Sequence, residues 1–144
     1  MDWSNPVYPT VEHLLEVIRR LDVRVTRIAG CLVRMTRETA WQITPWRAPA
    51  ESLVLDWLAR FQGDRRAAEL MINHLHIDGL LDPWLRQLPV PHEDLMEVTR
   101  AYVAMLRQAL VEYCGESGFE IVVSGEEEAK QDPGELEVSF CSRV

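Results

Sequence analysis

The sequence predicts an all-α protein. Six short helices bundle over residues 10–88, a long helix runs over 92–115, and residues 116–144 form an acidic β-hairpin or a disordered tail. Three observations carry this expectation. Apolar residues return every three or four positions in one short run after another. Prolines and glycines punctuate the runs, at Pro45, Pro49, Gly63, Gly79 and the Pro89–Val90–Pro91 break. Glu93–Cys114 contains neither Gly nor Pro, opens with acids that suit a helix dipole, and is followed by Gly115.

Taken in order, residues 1–9 (MDWSNPVYP) carry two prolines and no period, so they read as an arm. Thr10 can cap a first helix with Val11, Leu14, Leu15, Ile18 and Leu21 on one face. A second set follows at Val25, Ile28, Ala29, Leu32 and Val33. Thr36 opens a short segment through Trp41 and Ile43 that Pro45 ends. The fourth helix starts near Pro49, turns Leu53, Val54, Trp57, Leu58 and Phe61 inward, and stops at Gly63. Asp64 caps the fifth, with Ala67, Ala68, Met71, Ile72 and Leu75 inward and Gly79 as its stop. Asp82–Pro83 opens a brief sixth with Trp84, Leu85 and Leu88, and the proline break after it is the expected domain boundary. The long helix beyond would reach about 33 Å. Phe119–Val123 and Leu136–Phe140 partly alternate around the acidic, turn-rich stretch Gly125–Glu135, which is the pattern of a hairpin or of a tail that becomes a strand on binding.

The first residues also support an alternative. Val11, Leu14, Ile18, Leu21, Val25, Ile28, Leu32 and Met35 alternate by three and four without interruption. That pattern suits one continuous helix in a long-helix bundle or coiled-coil dimer.

Composition narrows the function classes. A chain of 144 residues with 47% hydrophobic and 26% charged residues can bury a core without disulfides or metal. Cys31, Cys114 and Cys141 form no CxxC pair, and no apolar run approaches the roughly 18 residues of a membrane span. A cytoplasmic protein with reduced thiols, away from membranes, is expected. Up to residue 88 eleven arginines balance eleven acids, whereas twelve acids face four basic residues thereafter, so the net charge of −8 lies in the C-terminal part. Nucleic acid is therefore not the expected ligand.

No residue set argues for catalysis. His74-x-His76-x-Asp78 resembles the start of a dinuclear hydrolase motif, but on a helix residues two apart point to nearly opposite sides and share no metal. Phosphate-cradle and nucleophile-elbow motifs are absent, and Glu126–Glu128 read as solvated loop carboxylates. Catalytic, metal and cofactor residues are accordingly expected to be none.

Binding features are better represented. Trp57 and Trp84 fall on inward faces, whereas Trp46 lies in a loop between Pro45 and Pro49, where a buried partner or an interface would explain it. Arg24, Arg27, Arg34 and Arg37 would point away from a helix face made by Val25, Ile28, Leu32 and Met35. They would form a basic patch for an acidic patch such as Asp78 with Asp82 on a second subunit or another protein.

One family resemblance adds to this. Leu53-Val-Leu-Asp-Trp57, Gly63, and the run Arg66–Leu88, with Leu75 four residues before Gly79 and Asp82 three beyond, resemble the later helices of a death domain. Ile28-Ala29, Leu32, Thr36 and Ile43 match its earlier core and capping positions. Tyr8-Pro9-Thr-Val11 and Leu21-Asp22 are similar to the start of kinase-associated death domains. Over residues 8–88 the resemblance implies a six-helix death fold. It also implies a non-enzymatic adaptor or regulator that assembles signalling partners through charged helix surfaces. The alternatives are a homodimeric helical assembly subunit, or a chaperone-like inhibitor that uses its acidic tail.

Overall fold

A computed structural model describes residues 11–20, 22–36, 46–80 and 90–143. Its architecture is mixed α/β with two antiparallel sheets, which overturns both the all-α six-helix bundle and the long-helix alternative. Helix α1 (Val11–Arg20) is followed by a hairpin of β1 (Val25–Ile28) and β2 (Cys31–Arg34). Helices α2 (Glu51–Arg60) and α3 (Arg65–Asn73) come next, then the short strand β3 (Leu75–His76) and a 3₁₀ turn at Ile77–Leu80. The long helix α4 (His92–Cys114) precedes β4 (Phe119–Ser124) and β5 (Glu137–Ser142). The arm, Trp41, Ile43 and the expected sixth helix with Trp84 lie outside the described residues.

The largest correction is at residues 25–34. Val25, Thr26 and Ile28 are β-branched, which favours a pleated strand. Ala29 (φ 50°) and Gly30 (φ 81°) both take the left-handed region, the backbone of a two-residue hairpin turn whose twist matches the flanking strands. Ile28 pairs with Cys31 across it, and Val25 pairs with Arg34. No continuous helix from Val11 to Met35 exists, because α1 ends at Arg20 and the pairing begins at Val25. Of the two alternatives for the C-terminal part, the structure has the hairpin: β4 and β5 pair in unbroken register from Phe119–Ser142 to Ser124–Glu137.

Both faces of the first hairpin are covered. Val25 and Leu32 join the main core with Leu14 and Ile18 of α1, Leu95, Val98, Tyr102, Leu106 and Leu110 of α4, and Phe119, Val138 and Phe140 of the second sheet. That core draws residues from both sides of the Pro89–Pro91 break. On the opposite face Cys31 and Val33 pack with Val54 and against Ile28, Leu58 and Ile72.

Helix α3 ties the two sheets together through side chains. Asp64 caps it by accepting a bond from Ala67 N. One turn apart, Glu69 and Asn73 are buried. Glu69 accepts from Leu32 N (2.5 Å), Ser142 N (3.2 Å) and Ser142 Oγ (2.6 Å). Asn73 donates to Leu32 O (2.8 Å) and Phe140 O (3.2 Å), and accepts from Arg34 N (2.9 Å). The outward backbone groups of β2 and β5, which would otherwise be buried without partners, are thus met by two side chains in place of a strand.

Helix α2 departs from its expected packing. Its buried residue is Val54, while Leu53 and Leu55 are exposed and Trp57 is half-buried, stacked on Phe61 at 5.9 Å beneath Arg60 at 4.9 Å. Trp57 therefore lies at the rim. Trp57→Ala is expected to cost about 1–2 kcal/mol, from partial area loss and the ring and cation contacts. A urea titration returning a loss above about 3 kcal/mol, the range of a core Trp→Ala change, would return Trp57 to the core.

Candidate functional site: an aromatic and cationic cleft

The Arg24 carbonyl accepts a bond from Met35 N (2.8 Å), which closes the open end of the first hairpin. Thr36 and Arg47 then exchange two backbone bonds, of 2.8 and 2.6 Å, and bring a third stretch of chain alongside. Trp46 arrives through that bridge. The Arg24 guanidinium lies over its ring, 5.2 Å from the centroid, and also meets Asp22 at 3.5 Å. Beside this pair is an open cleft of about 250 Å³ lined by Val23, Arg24, Val25, Met35, Ala109, Glu112 and Tyr113. Ala109, Glu112 and Tyr113 share one face of the last turns of α4, since residues three and four apart are neighbours there. Tyr113 is 45% exposed at the end of the helix. The result is an apolar floor between a stacked Arg–Trp pair and a Tyr, with one carboxylate on the rim.

The strand geometry redistributes the predicted basic patch. Across an antiparallel pair, opposed residues share a face, so Arg34 lies with Val25 and Arg27 with Leu32. The four arginines therefore do not form one outward helix face. Arg24 joins the cleft. Arg27 donates to Gly30 O (3.2 Å) and Ser142 Oγ (3.4 Å), at the far end of the hairpin. Arg34 lies near α4: its buried Nε has no hydrogen-bond partner among the described residues, and its charge opposes the upward push that burial gives the Tyr102 hydroxyl. Arg37 and Asp82 fall outside the described residues. Asp78 sits in the 3₁₀ turn against the turn at Pro133–Glu135, with no arginine partner among the described residues. Of the residues singled out in the sequence, Arg24 and Trp46 are brought together. Met35, Ala109, Glu112 and Tyr113 were missed: helical spacing sets Tyr113 on the apolar stripe of α4, seven residues beyond Leu106 and three beyond Leu110, so no local signal marked it as exposed.

The groups considered for chemistry are occupied by structural contacts. His74 and His76 lie edge to face with centroids 5.6 Å apart. His74 Nδ1 is 2.6 Å from Met71 O, His76 Nδ1 is 2.6 Å from Gly134 O, and His76 Nε2 is 3.2 Å from Glu137. Among the described residues no group of three His, Cys, Asp or Glu is placed to hold a metal ion. Burial pushes the thiols of Cys31, Cys114 and Cys141 above their ordinary range, which disfavours the reactive thiolate. Glu120 is held below the usual carboxylate range by its hydrogen bond to Arg66, an ion pair at the surface. No helix among the described residues is long and apolar enough to cross a membrane.

Comparison with known proteins adds no assignment to this geometry: no family model matches the chain, and it matches neither a curated protein nor a solved structure.

Proposed function

We propose that the chain is a non-catalytic, cytoplasmic protein-binding module whose partner docks at the cleft between Arg24–Trp46 and Tyr113. The observation that carries this reading is the side-chain chemistry of the rim. Trp, Tyr and Arg are the residue types that dominate binding energy in protein interfaces, because each combines a large rigid or planar contact area with a polar handle. Here Arg24 and Tyr113 line one small hollow with Val23, Val25, Met35 and Ala109, and the Trp46 ring backs the Arg24 guanidinium. Such a hollow takes an apolar side chain from a partner protein, with the Arg24 guanidinium, held on Trp46, at its edge. The three free cysteines support a reducing compartment as its setting.

The test places a photo-crosslinking amino acid at position 113 in cells. A partner protein captured at that position should be lost at least tenfold when Trp46 is replaced by alanine, while the melting temperature of Trp46→Ala stays within a few degrees of the parent. Capture that is indifferent to Trp46→Ala and Arg24→Ala, or equally strong from a crosslinker at the distant Leu55, would remove the cleft as the docking site.

A further inference from the structure

Helix α3 meets the outward backbone groups of β2 and of the part of β5 that lies beyond the two-residue strand β3. The bond from Arg143 N to Gly118 O fixes the parity of the β4–β5 ladder. With the observed register, Glu120, Val122 and Ser124 bond inward to β5, and Phe119, Ile121 and Val123 turn their N–H and C=O groups outward. The same parity turns Val138, Phe140 and Ser142 of β5 the other way, where β3, Asn73 and Glu69 meet them. On β2 the outward groups of Leu32 and Arg34 are likewise met by Glu69 and Asn73. The outer edge of β4 has no such partner: among the described residues nothing bonds to the outward backbone groups of Phe119, Ile121 and Val123.

That edge also lacks the usual safeguards. Exposed edges are normally protected by lysine, proline, a bulge or an unpaired inward charge. The strand Phe119–Ser124 (FEIVVS) has no Lys or Pro, its register is unbroken, and its one charge, Glu120, is paired with Arg66. It is six residues long and rich in β-branched side chains, a ready template for another strand.

We propose that β4 pairs antiparallel with β4 of a second copy of this chain, joining the two three-stranded sheets across a two-fold axis at Ile121. This goes beyond the cleft reading and uses a different surface. Two features of the strand select a second copy as the occupant. The first is register. Centred on Ile121, the outward groups of Phe119, Ile121 and Val123 in one copy face those of Val123, Ile121 and Phe119 in the other, making about six bonds. Glu120 then lies opposite Val122, so like charges are kept apart. The second is charge along the hairpin. Its closed end carries Glu126, Glu127, Glu128, Asp132 and Glu135 against Lys130, while at its open end Arg66 and Glu120 neutralise each other and Arg143 and Arg27, which reaches Ser142, outweigh Glu116. Antiparallel pairing sets the basic end of one copy beside the acidic end of the other. Arg143 comes within two strand spacings, about 10 Å, of the turn that follows Ser124. Parallel pairing would set like ends together.

The test is amide hydrogen exchange on the intact chain, with sedimentation velocity, from low micromolar to near-millimolar concentration. The expected result is a monomer–dimer equilibrium in which the Phe119, Ile121 and Val123 amides gain at least tenfold protection as the dimer forms. The Glu120, Val122 and Ser124 amides, already bonded to β5, should be protected throughout. Val122→Glu, which sets a carboxylate opposite Glu120 of the other copy, should raise the dissociation constant at least tenfold with unchanged protection at Leu106 and Leu110. A chain that stays monomeric across the range overturns the proposal. So does a dimer that leaves the three outward amides exchanging freely, or one that Val122→Glu does not weaken.

Discussion

Replacing Glu69 with alanine is expected to cost about 3–5 kcal/mol of folding stability. The carboxylate is fully buried and is the common acceptor for Leu32 N, Ser142 N and Ser142 Oγ. Removing it leaves two backbone donors and a hydroxyl in the interior, at about 1–3 kcal/mol for each donor that finds no replacement. Arg65, 3.9 Å away and part-exposed, also loses its counter-charge. Glu69→Gln should cost less, because an amide oxygen can still serve Leu32 N and Ser142 Oγ while its NH₂ meets Ser142 N without accepting. Asn73→Ala removes three further bonds to the same two strands, so its effect and that of Glu69→Ala should fall short of additive. The measurement is urea denaturation of the three single variants and the Glu69→Ala, Asn73→Ala double. A Glu69→Ala loss below about 1 kcal/mol would mean that water replaces the carboxylate and that α3 does not hold the sheets by these bonds.

Gly125→Ala should be the most damaging glycine change, at about 2–5 kcal/mol. Gly125 has φ 81°, a conformation costing an L-residue about 1–2 kcal/mol. A Cβ there would also run into the Glu135 carbonyl, on backbone that leads into β5, which adds an overpacking cost of about 1–3 kcal/mol. Gly30 provides the control. Its φ is 81°, but nothing lies within 4 Å of a Cβ added there, so Gly30→Ala should cost only about 1–2 kcal/mol. Equal melting shifts for the two variants would show that the loop ending at Glu135 relaxes and that the close approach at Gly125 carries no weight.

Two residues at the cleft stand out in the sequence. Arg24 and Trp46 attract attention as an arginine in a basic run and a tryptophan in a proline-rich loop. Their stacking depends on the Thr36–Arg47 bridge, which no local pattern announces. Tyr113, Glu112 and Ala109 come from a helix more than sixty residues later in the chain, so their place opposite Arg24 is a product of packing.

What the sequence determined by itself is local. Helix α4 needs only an acidic first turn, a long stretch without breakers and Gly115 at its end, and it spans 23 residues. The Asp64 cap and the turn at Gly63 are equally short-range, and the alternation in Phe119–Val123 left the hairpin open as one of two outcomes. The helix ladder bonds each residue to one four positions away, so nearby residues suffice to specify it. Strands depend on distant partners. The apolar spacing of Val25, Ile28, Leu32 and Met35 suits a helix, Gly30 was the one local sign against it, and the left-handed backbone of Ala29 is not written in its residue type. Only the tertiary structure decided for the hairpin. A strand pair exposes outward N–H and C=O groups that must be met when buried, and here the groups that meet them are Glu69 and Asn73, 37 and 41 residues beyond Leu32.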